Sequence, residues 1–311
     1  MDQGNTRTNE TGRGGVSRRA FIAGTAAAAV GVAAGLAEGN AAYAAPSYTK
    51  VRKLPGEFRR KDTQYTLSGT PYEVIDVTVQ GDNMRLFVPH ASPPSLTTSV
   101  AVVWYYHSNG GAYTDLSTAF KYGSDPLVDE GVVSVCPENG GTHEFASPKA
   151  VTAHRRAIDY VVALWRISYS FGRANSGGGS LMCWAFGNNF VPRRHGMYLA
   201  SAVYDMEDIY ARDPVRVGYP YGYNATAVRA TNAARLPQSA WTGMRIRASY
   251  STVDQILPPP KHCLALTKLA APVAVETSLL PHGGGGKANG HYVSGSANKD
   301  MVAAFQRWAD L

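Results

Sequence analysis

Cysteine is scarce in this chain, and no two cysteines have the spacing of a metal or redox motif. The three that occur, Cys136, Cys183 and Cys263, form no C-x-x-C pair, which argues against a zinc or a thioredoxin-type site. Because Cys136 and Cys183 lie in apolar runs, we expect buried, reduced thiols. One disulfide is the alternative if the protein is exported.

Charged residues are also few, at 17% of the chain against 44% hydrophobic residues. This balance is typical of a globular rather than a disordered protein. The net charge of +7 is not concentrated in one segment, and no zinc-finger, helix-turn-helix or RNA-binding pattern occurs. We therefore expect no nucleic-acid partner. No apolar run after residue 45 is long enough to cross a bilayer, so no integral membrane segment is expected in the mature chain.

The first 44 residues have the order of an export signal. Residues 17–22 contain the pair Arg18-Arg19, an apolar run covers residues 23–37, and Ala42-Tyr43-Ala44 is a small-x-small cleavage site. The order indicates a signal peptide, and the arginine pair followed by x-Phe-Ile resembles a twin-arginine signal. An N-terminal membrane anchor is the alternative. We predict secretion by the twin-arginine route and one mature domain over residues 45–311.

The mature sequence alternates between predicted strands and predicted helices. A hairpin is expected over residues 72–89, turning at 81–83. Further strands are predicted at residues 100–106, 131–136, 181–184, 197–204, 245–250 and 273–279, and helices at 117–130, 150–169, 261–270 and 299–311. This alternation predicts an α/β fold with a mainly parallel sheet, helices on both faces and the hairpin at one edge. Residues 205–243 interrupt the alternation and are predicted to form an inserted cap.

A glycine-containing stretch after the strand predicted at 181–184 takes the place of a hydrolase nucleophile turn, G-x-S-x-G. It reads Cys183-Trp184-Ala185-Phe186-Gly187, so Ala185 would occupy the nucleophile position. Alanine has no nucleophilic atom, which closes the acyl-enzyme route. Ser180 and Cys183 are the alternative nucleophiles, but as neighbours on a strand they do not reach the turn.

An acid and a base follow the last two predicted strands. Asp254 comes after one of them, where a carboxylate points into the crevice at the carboxyl edge of a parallel sheet. His291 lies on the loop after the final strand, from which an imidazole can return over the sheet. Asp205 and Asp208 are the alternative acids, and His282 is the alternative base. An ordinary turn aspartate and an exposed loop histidine are the non-functional readings of the two residues.

The segment His107-Ser108-Asn109-Gly110-Gly111 follows a predicted buried strand. A loop of this kind offers backbone N–H groups to a developing oxyanion. We assign this role to Ser108, Asn109 and Gly110, together with the N–H of Phe186 after the nucleophile position.

Together these stretches resemble the α/β-hydrolase superfamily, in particular secreted serine esterase-like or lipase-like proteins of actinobacteria. The resemblance covers about residues 70–311, and the order of nucleophile position, Asp254 and His291 matches the family order. It implies an α/β-hydrolase fold, ester hydrolysis with no cofactor and no metal, and a small-molecule ester, lipid or glycan as ligand. Ala185 departs from the family pattern, and the chain is therefore predicted to be a pseudoenzyme, inactive or very weak.

Two other interpretations stay open. The chain could be an active carboxylic-ester hydrolase with a non-standard nucleophile or with water activated by Asp254 and His291. Alternatively the alanine is an introduced change, which the further departures at Cys183 and Asn188 argue against. The tyrosines of the predicted cap could stack on sugars, line an acyl pocket or form an ordinary surface; they are Tyr210, Tyr219, Tyr221 and Tyr223.

Overall fold

The computed structural model describes residues 50–310. The predicted signal segment and its cleavage site lie outside the described residues. Within residues 50–310, no helix has the length and apolar character that crossing a membrane requires.

A nine-stranded sheet forms the centre of the fold, in the order β1-β2-β3-β5-β4-β6-β7-β8-β9. The strands are β1 (Glu57–Tyr65), β2 (Pro71–Val79), β3 (Asp82–Pro89), β4 (Ser95–Tyr106), β5 (Val133–Pro137), β6 (Trp165–Asn175), β7 (Arg194–Ala200), β8 (Arg245–Ser251) and β9 (Glu276–His282). Strands β1, β2, β3 and β5 pair antiparallel, and all other pairs are parallel. The predicted mainly parallel sheet with an antiparallel edge is confirmed.

Helices cover both faces of this sheet, as predicted. They are α1 (Lys121–Asp129), α2 (Pro148–Leu164), α3 (Gly178–Gly187), α4 (Met206–Arg212), α5 (Pro214–Gly218), α6 (Ala225–Ala230), α7 (Cys263–Ala270) and α8 (Ala297–Ala309). Apolar side chains of α2, α3 and α7 pack on one face, and those of α1 and α8 pack on the other. The carboxyl ends of the parallel strands therefore meet at one edge, between two helical layers.

The hairpin of β2 and β3 turns on two residues, one position before the predicted turn. Gln80 and Gly81 both have positive φ, at 49° and 87°, which suits the two-residue turn that joins antiparallel strands. Beside it, Asp76 on β2 accepts two hydrogen bonds of 2.7 Å from the guanidinium of Arg85 on β3. Both side chains are buried, so each of the two buried charges has the other as its partner.

The largest departure from the sequence prediction lies between residues 165 and 187. The predicted helix 150–169 ends at Leu164, and strand β6 follows at once. The predicted strand 181–184 is the middle of α3. Eight of the ten residues of α3 are buried, and a helix buried on nearly every side shows no apolar period that separates it from a strand. The corner between strand and helix consequently lies near residue 176 rather than 185.

The predicted cap contains the short helices α4, α5 and α6 and several 3₁₀ turns, with no strand between residues 205 and 243. Asp205, Asp213 and Asn224 accept backbone N–H groups at the starts of α4, α5 and α6, which explains why three helices begin in so short a segment. A separate apolar cluster holds these helices together. Of the four cap tyrosines, Tyr221 is buried.

Candidate active site

Ser176 occupies the turn between β6 and α3. Its backbone is left-handed, with φ of 46°, a conformation that is uncommon for a non-glycine residue. The turn is packed so closely that its glycines are required. A Cβ on Gly178 would stand 2.4 Å from the carbonyl oxygen of His107, and one on Gly179 would stand 2.6 Å from that of Val203. The serine is thus held at the carboxyl edge of the sheet.

Three side chains meet at this turn in a hydrogen-bonded row. Ser176 Oγ lies 3.0 Å from His291 Nε2, and His291 Nδ1 lies 2.8 Å from Asp254 Oδ2. Because an ionised carboxylate only accepts, Nδ1 carries the proton and Nε2 is left to accept the hydrogen of the Ser176 hydroxyl. The side chain of Asp254 is 2% exposed and that of His291 is 21% exposed. The row runs from a buried acid to an imidazole that solvent can reach.

Asp254 is fixed by its own loop. Its Oδ1 accepts the N–H groups of Ile256, at 2.9 Å, and Leu257, at 2.8 Å. The other oxygen, Oδ2, is left for His291. Asp254 follows the end of β8, as predicted, so the carboxylate has both a fixed position and one oxygen directed at the imidazole.

The alternative acids and base have other contacts. Asp205 caps α4, Asp208 accepts from Arg212, and the ring of His282 lies on the carbonyl oxygen of Gly283. Within residues 50–310, no three His, Cys, Asp or Glu side chains are grouped so that they could hold a metal ion.

Ala185 does not stand at the strand-to-helix corner, so that part of the sequence interpretation is wrong. It is fully buried inside α3, nine residues and about 13 Å along the helix from Ser176. The two alternative nucleophiles also lie in unsuitable surroundings. The hydroxyl of Ser180 donates to the carbonyl oxygen of Gly177, and burial raises the pKa of the Cys183 thiol. All three cysteines are free and buried.

The structure brings only some of the residues predicted as oxyanion donors to the Ser176 turn. Asn109 N lies 3.0 Å from the position that a Cβ on Gly177 would take, so the loop after β4 touches the residue after Ser176. Neither of these two N–H groups donates to another residue within 50–310. The N–H of Gly110 is engaged, since it donates to Thr142 O at 2.6 Å. Phe186 is buried in α3, ten residues beyond the turn, and cannot serve.

A small cavity opens beside Asn109 and Gly177, with Ser108 in its lining and room for about one water molecule. Below it, His154 bridges two buried groups: the hydroxyl of Tyr106 donates to Nε2, and Nδ1 donates to the amide oxygen of Asn139. Burial lowers the pKa of His154 to about 3. The ring is therefore neutral, and its two hydrogen bonds join Tyr106, at the end of β4, to Asn139.

Ser176 is the residue that the sequence interpretation missed. The segment Ala174-Asn175-Ser176-Gly177-Gly178 has the form small-x-Ser-x-Gly, with alanine in place of the first glycine. This motif, which begins three residues after the alternating aromatic residues Tyr169 and Phe171 of β6, is the sequence feature that indicates the nucleophile turn. It was hidden because the helix was predicted to continue through residue 169.

No protein-family model and no curated protein sequence matches this chain. Solved structures do match it. A truncated carbohydrate esterase from gut microbiota aligns with a TM-score of 0.56 and 14% identity, over 84% of this chain and 100% of that one. An acetyl xylan esterase from Paenibacillus sp. R4 aligns with a TM-score of 0.54 and 14% identity, over 80% and 89% of the two chains.

A putative dipeptidyl aminopeptidase IV from Bacteroides ovatus aligns with a TM-score of 0.54 and 14% identity over 81% of this chain. The alignment spans only 36% of that longer protein. Identities this low show the fold and no more. Together with the sheet order, these likenesses show that the chain has the α/β-hydrolase fold found in esterases and peptidases.

Proposed function

We propose that this protein is an exported, active carboxylic-ester hydrolase whose nucleophile is Ser176. The observation that carries the proposal is the row Ser176 Oγ, His291 and Asp254, joined by contacts of 3.0 and 2.8 Å on a left-handed strand-to-helix turn. The expectation of an inactive protein depended on an alanine at this turn, where Ser176 stands instead.

In the proposed reaction Ser176 Oγ attacks the ester carbonyl carbon while His291 Nε2 takes the hydroxyl proton. Asp254 holds the imidazole in the required tautomer and stabilises the imidazolium that forms. The imidazolium then returns the proton to the leaving alcohol, and an acyl-enzyme remains on Ser176. Water, deprotonated by the same Nε2, releases the carboxylic acid and restores the serine.

The developing oxyanion is held by the N–H groups of Gly177 and Asn109. Gly177 directly follows Ser176, and Asn109 N stands 3.0 Å from the position that a Cβ on Gly177 would take, so the two proposed donors are neighbours at the turn. Helix α3 begins there, and the positive end of its dipole favours negative charge at the same point. Removing one such donor typically costs a factor of about 10²–10³ in rate.

The substrate class is a small carboxylic ester, with glycan-borne esters as the first natural candidates. Two of the similar structures are described as carbohydrate and acetyl xylan esterases. We infer export from the arginine pair and cleavage site of residues 1–44.

The test combines a fluorophosphonate probe with hydrolysis of p-nitrophenyl acetate. We expect labelling of the wild-type protein at Ser176, and loss of labelling and of at least about 10³-fold in turnover in Ser176→Ala. Ser180→Ala is the matched control, because its hydroxyl faces the carbonyl of Gly177 within the helix, and it should stay active. An unlabelled wild type that hydrolyses neither this ester nor acetylated xylan would refute the proposal.

Export is tested separately. Residues 1–44 fused to a reporter should direct it out of the cell, and replacing Arg18 and Arg19 by lysine should retain it inside. A reporter that leaves the cell equally well with both sequences would contradict the twin-arginine route.

A further inference from the structure

The acid and the histidine lie on two separate loops that are in close contact. Asp254 is on the loop after β8, and His291 is on the loop after β9, which contains four consecutive glycines from Gly283 to Gly286. Such a glycine run gives the chain little conformational preference of its own. Something beyond the Asp254–His291 hydrogen bond must therefore hold the second loop against the first.

Asn289 makes one contact between the two loops and one within its own loop. Its backbone carbonyl accepts the N–H of Gln255, the residue after Asp254, at 2.9 Å. Its side-chain oxygen Oδ1 accepts the N–H of His291 at 3.1 Å. One residue therefore contacts the backbone beside the acid and the backbone of the base.

Gly290, between Asn289 and His291, lets the two loops approach. It has φ of 67° and is buried, and a Cβ there would stand 2.0 Å from Val253 O. Because only glycine fits, the two backbones meet directly at this point. The side chain of Asn289 then fixes the direction in which the chain leaves this contact and enters His291.

We propose that Asn289 is a positioning residue for the hydrolysis, acting through its side-chain oxygen on the backbone of His291. This inference rests on the proposed function of Ser176, His291 and Asp254. The contact sets the orientation of the imidazole between Ser176 Oγ and Asp254 Oδ2. Without it, the backbone contacts of Asn289 with Gln255 and of Tyr292 with Ser201 still hold the loop in place, but the backbone N–H of His291 loses its acceptor. The imidazole then spends less time in the arrangement that accepts the serine proton.

Asn289 suits this test because it is exposed, so its replacement removes no buried core. The informative pair is Asn289→Leu, which has a similar size and no acceptor, and Asn289→Asp, which keeps an oxygen at the same place. Lys287→Ala is the control on the same loop, since that side chain is exposed. All are compared with wild type for kcat and KM on p-nitrophenyl acetate, the rate of fluorophosphonate inactivation, and thermal unfolding.

We expect Asn289→Leu to lower kcat and the inactivation rate by about tenfold, the effect of losing one hydrogen bond in the reactive arrangement, with KM changed less than about twofold. Asn289→Asp should recover most of the rate. In proton NMR, the low-field signal of the His291 Nδ1–H should broaden in the leucine variant and return in the aspartate variant. Lys287→Ala should match wild type in every measurement.

Unchanged kcat and an unchanged Nδ1–H signal in Asn289→Leu would overturn the proposal. So would a loss of activity that Asn289→Asp does not recover, or one explained wholly by a lower unfolding temperature. If the wild type is neither labelled nor active, the proposed function fails, and the Nδ1–H signal then decides the role of Asn289 by itself.

Discussion

Two histidine–aspartate pairs occur within residues 50–310, and they differ in solvent exposure and in the contacts of the second ring nitrogen. His291 Nδ1 lies 2.8 Å from Asp254 and its Nε2 faces the hydroxyl of Ser176. His262 Nε2 lies 3.2 Å from Asp208. The ring of His291 is partly exposed, whereas the side chain of His262 is 1% exposed. The residue types and distances are similar, so the difference lies in what the second ring nitrogen meets.

At His262 the second ring nitrogen already accepts hydrogen bonds from the backbone. Its Nδ1 accepts the backbone N–H groups of Tyr204 and Asp205, both at 3.2 Å, where β7 gives way to α4. Burial lowers the pKa of His262 to about 4, against the opposing effect of Asp208. This imidazole is therefore a neutral, fixed acceptor that fastens the cap to the loop before α7. We therefore propose a catalytic role only for the His291 pair, whose second nitrogen faces the hydroxyl of Ser176.

The largest expected difference comes from removing each histidine. His291→Ala should lower kcat by about 10⁶-fold, because the general base is lost, with little change in unfolding temperature. His262→Ala should leave two buried N–H groups without an acceptor and cost about 2–4 kcal/mol of unfolding free energy. Its kcat per folded molecule should stay within a few-fold of wild type. Ester turnover and calorimetry on both variants make the check, and equal activity losses would end the distinction.

Replacing each aspartate by asparagine should give a smaller but parallel contrast. In Asp254→Asn the amide favours the wrong imidazole tautomer, so kcat should fall by about 10⁴-fold. In Asp208→Asn the amide oxygen can still accept from His262 Nε2, and a stability loss of about 1 kcal/mol is expected. Steady-state kinetics beside urea unfolding measure the two effects. Full activity in Asp254→Asn would show that this carboxylate does not orient the base.

The third prediction concerns stability at acid pH. The pKa of His262 is lowered from 6.5 to about 4, so between these values the unfolded chain binds a proton that the folded chain does not. Stability is complete above pH 6.5 and falls as the pH drops towards 4, by up to about 1.4 kcal/mol per pH unit. His154, with a pKa of about 3, adds in the same direction.

The check is urea unfolding from pH 7 to pH 4.5. His262→Gln should flatten the dependence of unfolding free energy on pH, whereas the exposed His143→Gln should keep the wild-type slope. An unchanged slope in His262→Gln would mean that this ring is protonated in the folded protein.

The smallest effect is expected at Arg212, which connects the two pairs. Its Nε donates to Asp208 Oδ2 at 3.1 Å, and its NH1 donates to the carbonyl oxygen of Gln255, beside Asp254, at 3.2 Å. The side chain is 38% exposed, so the ion pair contributes little. Arg212→Ala should lower the unfolding free energy by less than about 1 kcal/mol and kcat by less than about threefold. A tenfold loss of kcat would show strong coupling between cap and acid.

The fold class and two of the three residues of the row could be predicted from the sequence. Asp254 and His291 follow strands β8 and β9, and the carboxyl ends of parallel strands meet at one edge. Their position therefore depends only on locating those strands. Both residues contact one another in the structure, and their chemical role stays a prediction.

Ser176 could not be found by the same reasoning, because the predicted helix included the first five residues of its strand and no strand was predicted over the rest. Leu164 ends α2 and Trp165 begins β6 with no intervening loop residue, so no glycine or proline marks the change. The apolar run that contains Ala185 then resembled a strand. Whether the strand-to-helix turn lies at Ser176 or at Ala185 depends on how α3 packs. Its neighbours are β6, β7 and the loop that follows β4, and the local sequence does not encode those contacts.

The turn and the loop after β4 cannot be altered independently. Gly177 and Gly178 touch Asn109 and the carbonyl oxygens of Tyr106 and His107 at separations that admit no Cβ. In directed evolution, libraries that randomise either segment alone would sample mostly dead variants, because an enlarged side chain on one side needs a compensating backbone shift on the other. Libraries in which both segments are replaced together, as a pair taken from another scaffold, should contain more functional variants than libraries that randomise one segment.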